Sequence, residues 1–208
     1  MMLICKIQNA VIKLRNYHKC IINKRKIRSS DFTIISNNCW AGFVYQRYGL
    51  KYLTPTIGLL IFGPDYVKFC RNLDEYLQKK LEFISLRDAK YYDLIEDGWE
   101  YPVARLGDIE IYFMHYRSEK EAEEKWYRRA GRVNKNKILY KISEREGFSK
   151  KDIEDFLMDH PKDGIAFSYD DIPGCIVVKE LHEYKGDEIS MLEKYCNIDQ
   201  LLNTMLEK

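Results

Sequence analysis

The chain has 208 residues, of which 46% are hydrophobic and 32% charged, with 11 Gly and 5 Pro. This composition excludes collagen-like, low-complexity and intrinsically disordered proteins, and the length suits one large domain or one domain with a terminal extension. No run of about 20 apolar residues occurs, so no membrane-spanning helix is predicted. Cations interrupt every apolar stretch near the start, where a secretory signal would need an apolar core, and we therefore expect a cytoplasmic protein.

Charge is distributed unevenly along the chain, although the net charge is only +2. Residues 1–30 hold eight basic and no acidic side chains, and the remaining residues carry 26 basic against 32 acidic ones. Among these cations, apolar residues recur at near-helical spacing: Ile4, Ile7, Val11, Leu14 and Ile21. This pattern predicts a basic amphipathic helix.

Two roles are open for this basic helix. It either docks on the following domain with its cations in solvent, or contacts anionic lipid at the inner face of the membrane or another polyanion. Nucleic acid is not expected as a partner, because the rest of the chain is acidic and lacks a nucleic-acid-binding motif.

Six short apolar runs, each bounded by polar or turn-forming residues, predict β-strands. They are residues 32–35, 56–62, 109–114, 138–142, 164–168 and 175–178. Apolar residues spaced three and four apart predict a helix over 66–81, and Ser-x-x-acidic capping boxes predict helices over 118–132 and 149–158. Residues 105–108 are predicted to form a loop.

The alternation of strands and helices predicts an α/β fold. Because the strands are apolar throughout rather than alternating, both faces of the sheet should be covered. We expect a three-layer α/β/α domain over residues 31–208 with a mainly parallel sheet, preceded by the basic extension over residues 1–30. The two close strands in 164–178 could instead pair antiparallel, which would make the sheet mixed.

Candidate site residues follow the predicted strands. In an open α/β sheet, ligands bind outside the carboxyl ends of the strands. Four predicted strands lead into polar or turn-forming segments, at 36–40, 63–65, 115–117 and 143–146. We expect these segments to surround one crevice.

Asn37, Asn38 and Trp40 are the predicted substrate-binding residues of the first segment. Asparagine amides both donate and accept hydrogen bonds and can bind sugar hydroxyls, and an indole can stack on a sugar ring. The structural alternative is a turn formed by the asparagines, with Trp40 in the core. Cys39 is expected to be a packing residue rather than a nucleophile.

The other segments supply Asp65 and His115 as predicted catalytic groups and Arg145 as a predicted phosphate contact. Each also has a structural interpretation: Asp65 as a helix-capping residue, His115 as a hydrogen-bonded structural residue, and Arg145 as part of a surface network with its neighbouring glutamates.

Several well-known motifs are missing from the sequence, including GxGxxG after a strand, the P-loop, HExxH and GxSxG. Their absence weighs against ordinary dinucleotide-binding dehydrogenases, P-loop NTPases, zinc proteases and α/β-hydrolases. The cysteines show no metal-binding spacing, so no metal site is predicted, and the sequence identifies no cofactor.

A longer stretch, FTIISNNCWAGF at residues 32–43, resembles a bacterial family of unknown function often labelled exopolysaccharide biosynthesis proteins. The likeness continues at GLKY (49–52), PTIG (55–58), PDY (64–66), YP (101–102), RLGDIE (105–110), HY (115–116), residues 122–126 and RR (128–129). It covers roughly residues 31–200 and leaves the basic extension outside.

The resemblance implies a bacterial setting and a role in surface polysaccharide assembly, but transfers no catalytic residues. Together with the predicted crevice, it favours a transferase or modifying enzyme that acts on a sugar nucleotide or glycan. The alternative is a non-catalytic adaptor at the membrane surface. A homodimer is left open, since nothing in the sequence argues for or against one.

Overall fold

The computed structural model describes residues 2–95, 98–182 and 188–205, with side chains described from residue 11 onward. Its helices are α1 (Met2–Lys24), α2 (Trp40–Arg47), α3 (Gly63–Arg71), α4 (Leu73–Tyr76), α5 (Glu119–Ala130), α6 (Lys150–Asp159), α7 (Glu188–Leu192) and α8 (Ile198–Met205). Its strands are β1 (Thr33–Ser36), β2 (Glu82–Ile84), β3 (Val103–Leu106), β4 (Ile109–Tyr112), β5 (Ile138–Ser143), β6 (Gly164–Ser168) and β7 (Ile176–Val177). Short 3₁₀ turns occupy Leu86–Asp88, Tyr92–Leu94 and Lys179–His182.

The larger sheet has four strands in the order β1-β5-β6-β7, and every neighbouring pair is parallel. Successive residues of these strands enter different cores: Ile34 and Leu139 face one side of the sheet, whereas Ile35 and Ile142 face the other. Both sets are apolar because helices cover both faces. The predicted α/β fold with a mainly parallel sheet is confirmed.

Helices form the outer two layers. Apolar residues of α2, α7 and α8 pack on the face that carries Leu139, and those of α3, α5 and α6 pack on the face that carries Ile142. The caps of α5 and α6 lie where the sequence predicts them. The hydroxyls of Ser118 and Ser149 accept hydrogen bonds from the backbone N–H groups of Glu121 and Asp152.

A second, antiparallel sheet of three strands has the order β2-β3-β4. The prediction of a loop at 105–108 is wrong. These residues are the end of β3 and a two-residue turn, in which Gly107 has a φ of +69°. The predicted strand at 109–114 exists as β4, but it belongs to this sheet. The predicted strand at 56–62 is reduced to one bridge, between Leu60 and Tyr112, since Gly58 turns the chain with a φ of +69°.

Two further expectations are corrected. The helix predicted over 66–81 is interrupted at Asn72, whose backbone (φ −125°, ψ 38°) is not helical. The antiparallel alternative for 164–178 is wrong, because β6 and β7 are parallel. β7 pairs only with the last two residues of β6. The loop between the two strands therefore has to carry the chain back over only two residues for the pairing to be parallel.

The amino-terminal helix α1 is attached to α2. The Cys20 thiol donates to the Gln46 carbonyl oxygen at 3.3 Å, and the Asn23 amide donates to the Arg47 carbonyl oxygen at 3.2 Å. Among the parts of the chain that the structure describes, no helix combines the length and the apolar character needed to cross a membrane.

Gly63 joins the start of α3 to the loop after β5. Its N–H donates to the Glu146 carbonyl oxygen at 3.0 Å. A Cβ at this position would lie 2.4 Å from the carbonyl oxygen of Gly147, which is a backbone atom and cannot rotate away.

We therefore predict that Gly63→Ala lowers the free energy of unfolding by about 1–3 kcal/mol, because the loop must shift to relieve this overlap. Gly131→Ala is the matched control: there the nearest atom is 3.6 Å from the added Cβ, and the change should stay within about 0.5 kcal/mol. Urea unfolding of the two variants measures the difference. Equal stability of the two would show that the Gly63–Gly147 approach does not constrain the loop.

Candidate functional site

A cluster of polar side chains lies where β1 and β5 end, at the carboxyl edge of the parallel sheet. We call it the carboxyl-edge cluster, and its members are Asn37, Asn38, Lys141, Ser143, Glu146 and Glu188. Asn37 and Asn38 directly follow β1, Glu146 lies in the loop after β5, and Glu188 begins α7.

Lys141 is the centre of the cluster and is fully buried. It lies in β5 between Leu139 and Ser143, and this alternation places it on the α2 face of the sheet. Its Nζ lies 2.8 Å from a carboxylate oxygen of Glu188, 2.8 Å from the Ser143 hydroxyl and 3.3 Å from the Asn38 amide oxygen. With the Asn37 amide oxygen at 3.5 Å, four acceptors surround an ammonium that has three N–H donors.

The two asparagines connect this ion pair to Glu146. The Asn38 amide nitrogen lies 2.7 Å from Glu188 Oε2, 3.2 Å from the Ser143 hydroxyl and 3.2 Å from Glu146 Oε1. The Asn37 amide nitrogen donates to Glu146 Oε2 at 2.7 Å. Both amides therefore hold Glu146 in place from two directions.

The two carboxylates of the cluster are electrostatically different. Burial by itself would raise the pKa of Glu188, but the charge of Lys141 and hydrogen bonds from Lys141 and Ser143 outweigh it and lower the pKa. Burial and the neighbouring charge of Glu188 raise the pKa of Glu146 to about 7. Burial also lowers the pKa of Lys141, against the opposing effect of Glu188. A pair of carboxyl groups with separated pKa values is typical of acid–base sites.

Arg145 and Cys39 border the cluster. The charge of Arg145 acts on Lys141, Glu146 and Glu188 and lowers the pKa of each of them. The pKa of Cys39 is raised to about 11, mainly by burial and to a smaller extent by the negative charges of Glu146 and Glu188. Cys39 therefore stays a thiol at neutral pH, as expected for a packing residue.

Trp40 is also adjacent to the cluster, but it is only 1% exposed and packs in the core with α2. Its ring centroid lies 5.8 Å from Nζ of Lys141, within the range of a cation–π contact. Its position favours support of the lysine, and the predicted stacking on a ligand stays a prediction.

Asp65 lies in another polar group, between α3 and the antiparallel sheet. Nζ of Lys90 lies 3.0 Å from each of its carboxylate oxygens, and the Glu110 N–H donates to it at 2.9 Å. Glu110 in turn accepts from the Lys90 N–H and the Tyr112 hydroxyl. These bonds tie the segment that carries Lys90 to α3.

His115 is exposed, just beyond β4, and its backbone N–H donates to the Gly58 carbonyl oxygen at 3.0 Å. Hydrogen bonds between side chains thus connect segment 36–40 to segment 143–146. The backbone hydrogen bond from Gly63 to Glu146 connects segment 63–65 to segment 143–146. Asp65 and His115 contact other elements. Their catalytic roles stay predictions.

A cavity of about 590 Å³ is lined by a different part of the chain, with residues from 85–95 and 98–101. Three aromatic residues contribute to it, Tyr92, Trp99 and Tyr101, and Trp99 is 44% exposed. Leu94 of segment 85–95 lies against Gly147, so this segment borders the loop that carries Glu146. Among the residues that the structure describes, no group of three or more His, Cys, Asp or Glu side chains is placed to bind a metal ion.

Four members of the cluster, Lys141, Ser143, Glu146 and Glu188, were not candidates on sequence grounds, although Ser143 and Glu146 lie in the segment 143–146 that was expected to border the crevice. The one signal for Lys141 is a lysine inside an apolar strand, ILYKIS, where a buried charge needs a partner. Glu188 lies 47 residues further along the chain, and no spacing rule connects the two.

A family model described as a domain of unknown function (DUF1919) matches residues 10–204. An uncharacterized protein of Haemophilus influenzae is 30% identical over 183 residues, which are 88% of this chain and 82% of the relative. The family match begins within the basic extension, whereas the resemblance in sequence was expected to begin near residue 31.

The raised pKa of Glu146 predicts a specific pH dependence of the free energy of unfolding. Its pKa in the folded protein, about 7, is above the ordinary value of 4.5. Its contribution to stability is therefore complete below about pH 4.5 and is lost as the pH rises through 7. Glu146→Gln, which stays neutral, should gain stability relative to the wild type across this window, by on the order of 1–3 kcal/mol.

Urea unfolding of both proteins at several pH values between 4.5 and 7.5 measures this difference. Glu154→Gln, at an exposed position on α6, is the matched control and should follow the wild type at every pH. A difference between Glu146→Gln and wild type that does not change with pH would refute the raised pKa.

Proposed function

The chain belongs to the DUF1919 family, a domain of unknown function, and we propose that it is an enzyme of bacterial surface polysaccharide assembly. It transfers or modifies a sugar carried by a nucleotide or glycan, with Glu146 as the acid–base group. The observation that carries this proposal is the half-buried Glu146, whose pKa is raised to about 7 and whose two oxygens are held by Asn37 and Asn38.

The chemistry needs a base near neutrality. When a sugar hydroxyl attacks an activated sugar or acyl group, its proton must be removed as the new bond forms and the old leaving group departs. A carboxylate with a pKa close to the working pH does this most efficiently, and such catalysis contributes typically 10²–10⁴-fold. Glu188, ion-paired to Lys141, stays charged and keeps the pKa of Glu146 raised.

The substrate class is supported by two features. The sequence resemblance points to polysaccharide assembly, and the aromatic side chains of the cavity at 85–95 and 98–101 suit the apolar face of a sugar ring. Arg145, whose charge already acts on the cluster, is the proposed contact for a nucleotide phosphate. Asp65 is 2% exposed and bonded to Lys90, so we assign the acid–base role to Glu146 in preference to Asp65 or His115.

The test combines binding and turnover. Purified protein is titrated with a panel of nucleoside diphosphate and monophosphate sugars while the melting temperature is followed, and donor consumption is then measured with sugar acceptors. We expect at least one donor to raise the melting temperature of the wild type and to be consumed. Glu146→Gln should bind the same donor and lose about 10²-fold or more in turnover.

Glu154→Gln again serves as the control and should retain full turnover. Failure of every sugar nucleotide to bind, or binding without consumption by the wild type, would contradict an enzymatic role. Unchanged turnover in Glu146→Gln would contradict the assignment of the base.

A further inference from the structure

We infer that α1 binds the surface of an anionic lipid bilayer, with one apolar face in the headgroup region and its cations against the lipid phosphates. This inference is independent of the proposed enzymatic activity. It rests on which face of the helix contacts the protein and which face is left in solvent.

The inner face of α1 is short and polar. It contacts α2 through Cys20 and Asn23, near the carboxyl-terminal end of the helix, and the Cys20 side chain also lies against Gly49. Residues 11–19 are all exposed, so this stretch extends beyond the contact with α2.

The outer face carries three exposed apolar residues. Val11, Leu14 and Ile22 are 57%, 59% and 56% exposed. At about 100° per residue, these three positions lie on one side of the helix, roughly opposite Cys20 and Asn23. Amphipathic helices that only dock on their own domain bury such a face, whereas α1 presents it to the surroundings.

Cations border this apolar face on one side and lie farther from it on the other. By the same helical geometry, Arg15 and Lys19 lie along one border, whereas Lys13 and Lys24 lie farther round the helix, between Leu14 and Cys20. All four are exposed, and residues 1–30 contain no acidic side chain. An apolar strip flanked by Lys and Arg is the arrangement of helices that lie in the plane of an anionic membrane.

Charge decides between the candidate occupants of this face. A second copy that covered the apolar strip with its own α1 would bring eight basic residues of one extension against eight of the other. A nucleic acid would neutralise the cations and leave the apolar strip in water. An anionic bilayer surface neutralises the cations and also covers the apolar strip. Each Lys or Arg near the surface contributes about 1 kcal/mol to the binding free energy.

The test uses the full-length chain and sedimentation with phosphatidylcholine vesicles, with and without phosphatidylglycerol. We expect binding to the anionic vesicles that is at least tenfold tighter than to the neutral ones and that weakens as salt is added. Val11→Ser/Leu14→Ser should weaken binding at least tenfold without a change of charge. Arg15→Gln/Lys19→Gln, which removes the two exposed cations beside the apolar face, should weaken it by more than tenfold at low salt.

Matched controls make the same chemical changes elsewhere on the surface. Met158→Ser replaces a side chain that is 78% exposed on α6, and Lys120→Gln/Arg128→Gln removes two exposed cations from α5. Both should bind vesicles like the wild type. Melting temperatures of all variants should agree closely, since every substituted side chain is exposed.

Three results would overturn the inference. Equal binding to neutral and anionic vesicles would remove the role of the cations, and full binding by Val11→Ser/Leu14→Ser would remove that of the apolar strip. A dimer in solution that this same variant converts to a monomer would assign the face to a second copy of the chain.

Discussion

The buried ion pair between Lys141 and Glu188 is the interaction on which the carboxyl edge of the sheet depends. A lysine in the middle of a parallel sheet has no access to water, so its charge must be matched by acceptors from the protein itself. The side chains of Asn38, Ser143 and Glu188 supply them at 2.8–3.3 Å. This requirement links the turn after β1, the end of β5 and the start of α7, which are far apart in sequence. Glu146 is then enclosed beside a fixed negative charge, which is why its pKa is raised.

The same arrangement relates the site to the rest of the molecule. Trp40 supports Lys141 from the first residue of α2, and the other end of α2 holds α1 through the Gln46 and Arg47 carbonyl groups. One helix thus connects the candidate acid–base group to the basic helix that we propose to rest on a membrane. If both proposals hold, the enzyme would act on its substrate close to the lipid surface, where glycans attached to lipid carriers are found.

Local patterns predicted much of the fold. The apolar strands predicted at 32–35, 138–142 and 164–168 rest on local signals, and the structure has them at Thr33–Ser36, Ile138–Ser143 and Gly164–Ser168. The serine caps of α5 and α6 are also local signals and lie where they were predicted. The antiparallel sheet was not predicted, because its pairing depends on a hairpin at Gly107 and on contacts between segments with no distinctive spacing. In the site, topology alone placed the asparagines of the 36–40 segment beside the 143–146 loop. The partnership of Lys141 and Glu188 could not be predicted, since only the folded chain brings α7 to β5.

The most direct measurement is a double-mutant cycle on the central ion pair, using Lys141→Met, Glu188→Gln and the double variant in urea unfolding at neutral pH. Each single change leaves a buried polar partner unmatched, and Lys141→Met should cost about 3–5 kcal/mol. The account predicts that the double variant is less destabilised than the sum of the two single variants by about 2 kcal/mol or more. Additive losses would show that the two charges do not interact, and would contradict the account of how this edge of the sheet is assembled.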